Sequence, residues 1–296
     1  MQMSDLRIVE VGPRDGLQNI KQSIDLGVKK TLVLDLLRAG LREIEIGAFV
    51  SPKWVPQMAN SAELIESLDF NEGFSALVPN AKGMEGFHRS GLKRASFFTA
   101  VSDTFNLRNT NKTFAQSLET LDSLLSKSKK FYKRVYLSTV FHCPFTGEIS
   151  LSDLNESFKR LSTLDFDDLS LGDTIGKATP EHVKRVLRLV ENYWPLEKIS
   201  MHFHDTYGTA LANCQTSLEI GVRSFDSSVS GLGGCPYAPG ASGNLSTEDL
   251  VYLAHREGYS TGVDLKKLIS AGAKIDAYLN RRTSSRVHQA VSQNRC

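Results

Sequence analysis

The run Ile199-Ser-Met-His-Phe-His-Asp-Thr-Tyr-Gly208 places His202 and His204 two residues apart. In an extended strand such residues face the same side. Two neutral imidazoles side by side at a strand end suit a divalent first-row ion with positions left open for substrate. For so short a pattern the plainer reading is that one histidine ligates nothing and only hydrogen-bonds. Asp15, directly after an apolar run, can add a carboxylate, and Asn244, after a glycine-rich stretch, can add a carbonyl oxygen. A mixed nitrogen and oxygen set without thiolate points to Mg²⁺ or Mn²⁺ rather than structural zinc.

Arg14 sits beside Asp15 and puts a fixed cation next to that site. Such a group stabilises an enolate oxygen or polarises a carbonyl; it can also be a structural salt bridge, with Glu45 as partner. Glu43 and Glu45 share one strand face, and a carboxylate inside a barrel costs several kcal/mol unless paired. Glu45, nearer the strand's C-terminal end, reads as the residue that orients Arg14. Cys235 lies in Gly231-Leu-Gly-Gly-Cys-Pro-Tyr-Ala-Pro-Gly-Ala-Ser-Gly243, where five glycines permit unusual backbone angles and motion. A thiol carried over the ion by a closing loop can move a proton; the alternative is an incidental cysteine on a surface loop. Asp173, in Leu-Gly-Asp-Thr, is an acid candidate or the cap of a turn. Cys143 reads as packing at the barrel mouth and Cys214 as helix core.

The elements needed to position these groups alternate. Strand-like runs at 6–11, 42–47, 73–78, 94–100, 134–141, 168–171, 199–204 and 224–229 are separated by helical stretches at 26–39, 55–68, 81–90, 111–129, about 150–164, from Thr179-Pro180 onward, 209–220 and 246–256. Thr179 and Pro180 fit the N-cap and first helical position, and Ser246 with Asp249 resembles a capping box. Eight strand–helix units predict an α/β fold of the (β/α)8 TIM-barrel type. The expected organisation is a single catalytic domain, with the barrel at about 5–258 and a C-terminal helical extension at about 259–296. That extension holds a helix at 265–280 and a polar tail. In such barrels chemistry gathers at the C-terminal ends of the strands, where Arg14, Asp15, Glu45, Asp173, His202, His204 and Asn244 all fall.

Composition narrows the class. A net charge of +2 gives no ground for a nucleic-acid or membrane partner. Four scattered cysteines form no C-x-x-C pair and read as free thiols of a reducing compartment. The sequence lacks a span-length apolar run and a leader pattern at its start, so a cytoplasmic setting is expected. Neither a Walker motif nor a Gly-x-Ser-x-Gly elbow is present, and no lysine stands at a strand end as a Schiff-base former.

Five segments carry a resemblance. They are Val9-Glu-Val-Gly-Pro-Arg-Asp-Gly-Leu-Gln-Asn19, Phe49-Val-Ser-Pro-Lys-Trp-Val-Pro-Gln-Met58, Ser170-Leu-Gly-Asp-Thr-Ile-Gly176, His202-Phe-His-Asp-Thr-Tyr-Gly208 and Gly231-Leu-Gly-Gly-Cys-Pro-Tyr237. Together the chain resembles the 3-hydroxy-3-methylglutaryl-CoA lyase family, from about residue 9 to 285. The Arg-Asp and His-x-His elements belong to a wider superfamily of metal-dependent barrels that includes Claisen-type acyl-CoA synthases and pyruvate aldolases; the second and fifth segments are the more specific. The resemblance implies a carbon–carbon lyase that uses Mg²⁺ or Mn²⁺, with Asp15, His202, His204 and Asn244 as ligands. It implies Arg14 at the acyl-CoA carbonyl, Glu45 in support, Cys235 as loop thiol and Asp173 as a proton-relay group. Lys21 and Asn280 would lie near the CoA nucleotide. A homodimer or higher homo-oligomer and a leucine-degradation or ketogenic route also follow from it. The general base stays open among Asp15, His202, Cys235 and a metal-bound water. Ile46-Gly47-Ala48 departs from the family's hydroxyl-bearing residues, which opens the acyl group to other 3-substituted glutaryl-CoAs. His142 stands where the family has glycine, and Pro239 stiffens the loop.

Overall fold

The computed structural model describes residues 5–235 and 238–293, with backbone alone for 235 and 238–242. Eight parallel strands close a barrel in chain order: β1 Arg7–Glu10, β2 Glu43–Ala48, β3 Phe74–Leu77, β4 Arg94–Ala100, β5 Tyr132–Ser138, β6 Asp168–Asp173, β7 Ile199–Phe203 and β8 Ser224–Ser227, with β8 returning to β1. Helices α1 Leu26–Arg38, α2 Ser61–Ser67, α3 Ala81–Ser90, α4 Asp103–Thr110, α5 Phe114–Ser126, α6 Leu151–Leu161, α7 Pro180–Val190, α8 Ala210–Ile220 and α9 Thr247–Arg256 accompany the strands. After them come α10 Leu265–Tyr278 and α11 Arg286–Gln293.

Strand alternation builds two unlike layers. Ile8, Ile44, Phe97, Val135, Leu169, Leu171, Met201 and Phe225 are buried in the apolar core. The residues alternating with them include a charged set that crosses the barrel interior. Arg7 donates to Glu43 and to Asp168, each at 2.8 Å. Arg94 donates to Glu43 at 2.5 Å. Arg134 donates to Asp168 at 2.9 Å and also to Asp226. Each charge would cost several kcal/mol to bury alone; the alternation of sign gives every member an opposite neighbour.

Several boundaries differ from the sequence expectation. The stretch 55–68 is not one helix: Pro56–Met58 makes a short turn and α2 starts only at Ser61, because Ser61 is occupied in bridging that turn and β2. The stretch 111–129 also divides. Asn111 adopts a left-handed conformation that ends α4, and Thr113 with Gln116 forms a capping box that starts α5. β5 begins two residues earlier than expected. Ser246 caps α9 by accepting from the Asp249 N–H at 3.1 Å, but the Asp249 carboxylate does not close a box. It accepts instead from Ser285 Oγ and the N–H groups of Arg286 and Val287, at the start of α11. That helix lies within the supposed polar tail. Thr179 and Pro180 start α7 as expected. Among the described residues no helix is long and apolar enough to cross a membrane.

Candidate active site

After β1 the chain makes a single wide turn, Gly12–Gly16, in which the N–H groups of Arg14, Asp15 and Gly16 all reach the Val11 carbonyl. A turn of this width re-aims side chains at the mouth of the barrel. Gly16 is required there: a Cβ would lie 2.7 Å from both Ser228 Oγ and Leu232 Cβ. From the turn, Arg14 donates to Asp15 Oδ1 at 2.6 Å and to Glu45 on β2. Asp15 Oδ1 also accepts from Gln18 Nε2 at 2.8 Å, and its Oδ2 from Asn244 Nδ2 at 2.8 Å. His202, on β7, and His204, just beyond it, complete the group. Asp15, His202 and His204 each offer a ligand atom, and these atoms lie within 4.8 Å of one another. Among the described residues, Asn244 Oδ1 is buried without a hydrogen-bond partner.

This is a donor set that fits a divalent cation. It combines an ionised carboxylate, two imidazoles and an orphaned amide oxygen, with nitrogen and oxygen atoms only. Asp15, His202 and His204, with Arg14, line a cavity of about 960 Å³. Val50, Trp54, Val55, Leu77, Phe98 and Phe105 give it an apolar wall, and Arg108 and Lys112 stand on its rim. A mostly apolar pocket with a few converging polar groups is the usual form of a small-molecule site.

Comparison with known proteins bears on the same residues. The family described as HMGL-like matches residues 5–275. The hydroxymethylglutaryl-CoA lyase of Pseudomonas mevalonii is 44% identical, over 98% of each chain. A Pseudomonas aeruginosa protein named 3-hydroxy-3-isohexenylglutaryl-CoA/hydroxymethylglutaryl-CoA lyase is 45% identical, over 97% of each. The crystal structure of a hydroxymethylglutaryl-CoA lyase from P. aeruginosa superposes with a TM-score of 0.95 at 44% identity, over 99% of this chain and 100% of that one. The chain belongs to the hydroxymethylglutaryl-CoA lyase family.

Of the residues singled out in the sequence, Arg14, Asp15, Glu45, His202, His204 and Asn244 come together in space. Burial pushes the Asp15 carboxyl up, but Arg14, the two imidazoles and Asn244 outweigh it and hold it near 2. Burial and the neighbouring His202 bring His204 down to about 4. Burial also works against protonated His202, yet Asp226 and Asp15 raise it. The pair is therefore unequal, with His202 the more basic ring. Arg14 stays charged, since Glu45 and Asp15 more than offset its burial.

The other expected residues lie outside this cluster or outside the described residues. Asp173 is fully buried, and its two oxygens accept from the N–H groups of Lys177 and Ala178 at 3.0 Å each. It braces the loop after β6, and burial raises it to about 6. The Cys235 and Pro239 side chains and the whole of Tyr237 lie outside what the structure describes. Lys21 and Asn280 are exposed and do not line the cavity, though neighbouring Gln22 donates to the Tyr278 carbonyl at 3.5 Å. Gly47 and Ala48 do not line it either: a Cβ at Gly47 would lie 2.7 Å from Ser61 Oγ, so this departure accommodates α2 against β2. Cys143 and Cys214 are buried free thiols.

Sequence reasoning passed over four residues. Gln18 holds Asp15. Tyr136 lies between the Arg14 and Arg134 guanidinium groups, 5.4 and 5.2 Å from its ring centre, with its hydroxyl buried and unpartnered among the described residues. Asp226 faces His202 from β8. Glu10 accepts from the Gly12 and Val229 N–H groups and from Thr247 Oγ1, and so ties the exit of β1 to that of β8. For Glu10 and Asp226 a signal was available, since each is a carboxylate inside a strand otherwise built for burial.

Proposed function

We propose that this chain cleaves 3-hydroxy-3-methylglutaryl-CoA to acetyl-CoA and acetoacetate with the help of Mg²⁺ or Mn²⁺ held by Asp15, His202, His204 and Asn244. The observation that carries the reading is the convergence of Asp15, His202 and His204 beside Arg14, where they line the cavity. Full-length relatives named for this activity support it.

A bound divalent ion supplies Lewis-acid polarisation of substrate oxygens. The chain's own groups do the rest. A base takes the proton of the C3 hydroxyl; Asp15, His202 and Cys235 are the candidates among its side chains. The C2–C3 electrons move onto the thioester carbonyl, C3 becomes the ketone of acetoacetate, and the acetyl-CoA enolate remains. Arg14, fixed by Glu45 and Asp15, directs a permanent positive charge at that oxygen. Cys235 on the glycine-rich loop returns a proton to carbon, and Asp173 serves as a relay. Lys21 and Asn280 serve the CoA nucleotide. The family resemblance extends the reading to a homodimer or higher homo-oligomer in a leucine-degradation or ketogenic route, and the cytoplasmic setting remains the one expected from the sequence.

A second reading takes a longer 3-substituent. The apolar wall of Leu77, Phe98 and Phe105 favours it, as does the relative named for both substrates. Acetoacetate release from 3-hydroxy-3-methylglutaryl-CoA, measured beside a series of longer 3-alkyl homologues, separates the two. Highest kcat/KM with the methyl substrate supports the first. No cleavage of any member would refute both. Arg14→Met should lower kcat by about 100-fold or more, in the range of a lost oxyanion donor, with little change in KM; an unchanged kcat removes Arg14 from the chemistry.

A further inference from the structure

The two imidazoles of the candidate metal centre are near neighbours, with ring centres 5.4 Å apart, yet their other nitrogens meet opposite surroundings. His202 Nδ1 lies 3.1 Å from Asp226 Oδ2. Among the described residues, His204 Nδ1 is buried with no hydrogen-bond partner. The difference comes from strand register. Asp226 on β8 is the cross-strand partner of His202 on β7, so the two side chains leave the sheet side by side.

Asp226 is almost completely buried, and both of its oxygens are fixed. Oδ2 accepts from Ser170 Oγ at 2.7 Å, and Oδ1 accepts from the Arg134 guanidinium. Arg134 is in turn tied to Asp168 at 2.9 Å. The guanidinium thus balances the carboxylate's charge from one side and leaves the other side to the imidazole. An ionised carboxylate has no proton to give, so the ring nitrogen facing it must carry one. The ring's second nitrogen then has a free lone pair.

We propose that Asp226 is a positioning residue that holds His202 in the Nδ1–H tautomer and presents Nε2 to the cation, so that the histidine pair consists of one fixed donor and one adaptable donor. The proposal rests on the metal reading given above. Carboxylate partners of this kind orient ligating histidines and raise their basicity, and their loss typically weakens metal affinity by about 10–100-fold. Among the described residues His204 has no such anchor, so its orientation is left to the cation and the substrate. If Asp226 served only to balance Arg134, neither the tautomer of His202 nor cation affinity would depend on it.

The first measurement needs no variant. Long-range ¹H–¹⁵N spectra of the metal-free, full-length protein labelled at histidine, recorded at mildly alkaline pH, report each ring's tautomer; His202 is assigned by the signal missing in His202→Asn. The Nδ1–H form is expected, and an Nε2–H form overturns the proposal. The second is the Kd for Mn²⁺, from calorimetry, of the wild type, Asp226→Asn, His202→Asn and the double variant, with near-UV circular dichroism as a check on folding. Asp226→Asn should weaken binding by about 10–100-fold and add nothing in the His202→Asn background. Wild-type affinity in a folded Asp226→Asn protein overturns the proposal. A wild type that binds no Mn²⁺ refutes the metal reading instead, and the tautomer still decides the role of Asp226. Should Asp226→Asn fail to fold, the wild-type spectrum is decisive.

Discussion

Glu10 offers a test of how the two turns that frame the site are held. Its Oε1 accepts from the Gly12 N–H at 2.8 Å and the Val229 N–H at 2.9 Å, and its Oε2 from Thr247 Oγ1 at 2.6 Å. Full burial outweighs these bonds and raises its pKa from 4.5 to about 7. At about 1.4 kcal/mol per pH unit, the difference is worth about 3 kcal/mol. The sign follows from linkage. Between 4.5 and about 7 the folded protein keeps a proton that the unfolded chain has released. The stability this group contributes is therefore complete below about 4.5 and lost as pH rises through about 7. Glu10→Gln keeps the oxygen that serves Gly12 and Val229. Its amide meets Thr247 Oγ1, whose own hydrogen can go to Ser227 Oγ at 2.9 Å. The variant's unfolding free energy, measured in urea across this pH range, should gain on the wild type as pH rises, by up to about 3 kcal/mol. Parallel curves for the two proteins would refute the assignment of a buried, proton-holding Glu10.

Two further variants probe the same frame. Glu45→Ala leaves the buried Arg14 guanidinium with Asp15 as its one carboxylate partner among the described residues, and urea unfolding should show a loss of about 3 kcal/mol or more; Glu45→Gln, which keeps an acceptor, should recover part of it, and equal losses would argue against a charge pairing. Gly16→Ala forces a methyl group against Ser228 and Leu232, and should cost about 1–3 kcal/mol in the same assay while also lowering Mn²⁺ affinity, because Asp15 moves with the turn. Unchanged affinity in a destabilised Gly16→Ala protein would separate the turn from the site.

The barrel was legible because its strands and helices announce themselves by period and by punctuation. Ala81–Ser90 and Arg94–Ala100 emerge with the boundaries read from the sequence. The misreadings come from features that helical periodicity does not record: the Ser61 and Asp249 side chains serve tertiary contacts, and Asn111 turns left-handed to end α4. The ligand candidates were legible in the same manner, through His202 and His204 at strand spacing and Asp15 and Asn244 at strand exits. Their supports were not. Asp226 and Ser170 meet only because β6, β7 and β8 lie side by side, and Gln18 reaches Asp15 only because the Gly12–Gly16 turn folds back. At Gly47 and Ala48 the departure from the family's hydroxyl-bearing residues coincides with a packing contact to Ser61 that the sequence did not reveal.

The central claim is that one divalent cation, held by Asp15, His202, His204 and Asn244, is needed for cleavage. Protein stripped with a chelator and titrated with Mn²⁺, while acetoacetate is followed from 3-hydroxy-3-methylglutaryl-CoA, tests it most directly. The account predicts no turnover at the start and a rise to a plateau at one ion per chain. Full activity in the stripped protein would contradict it.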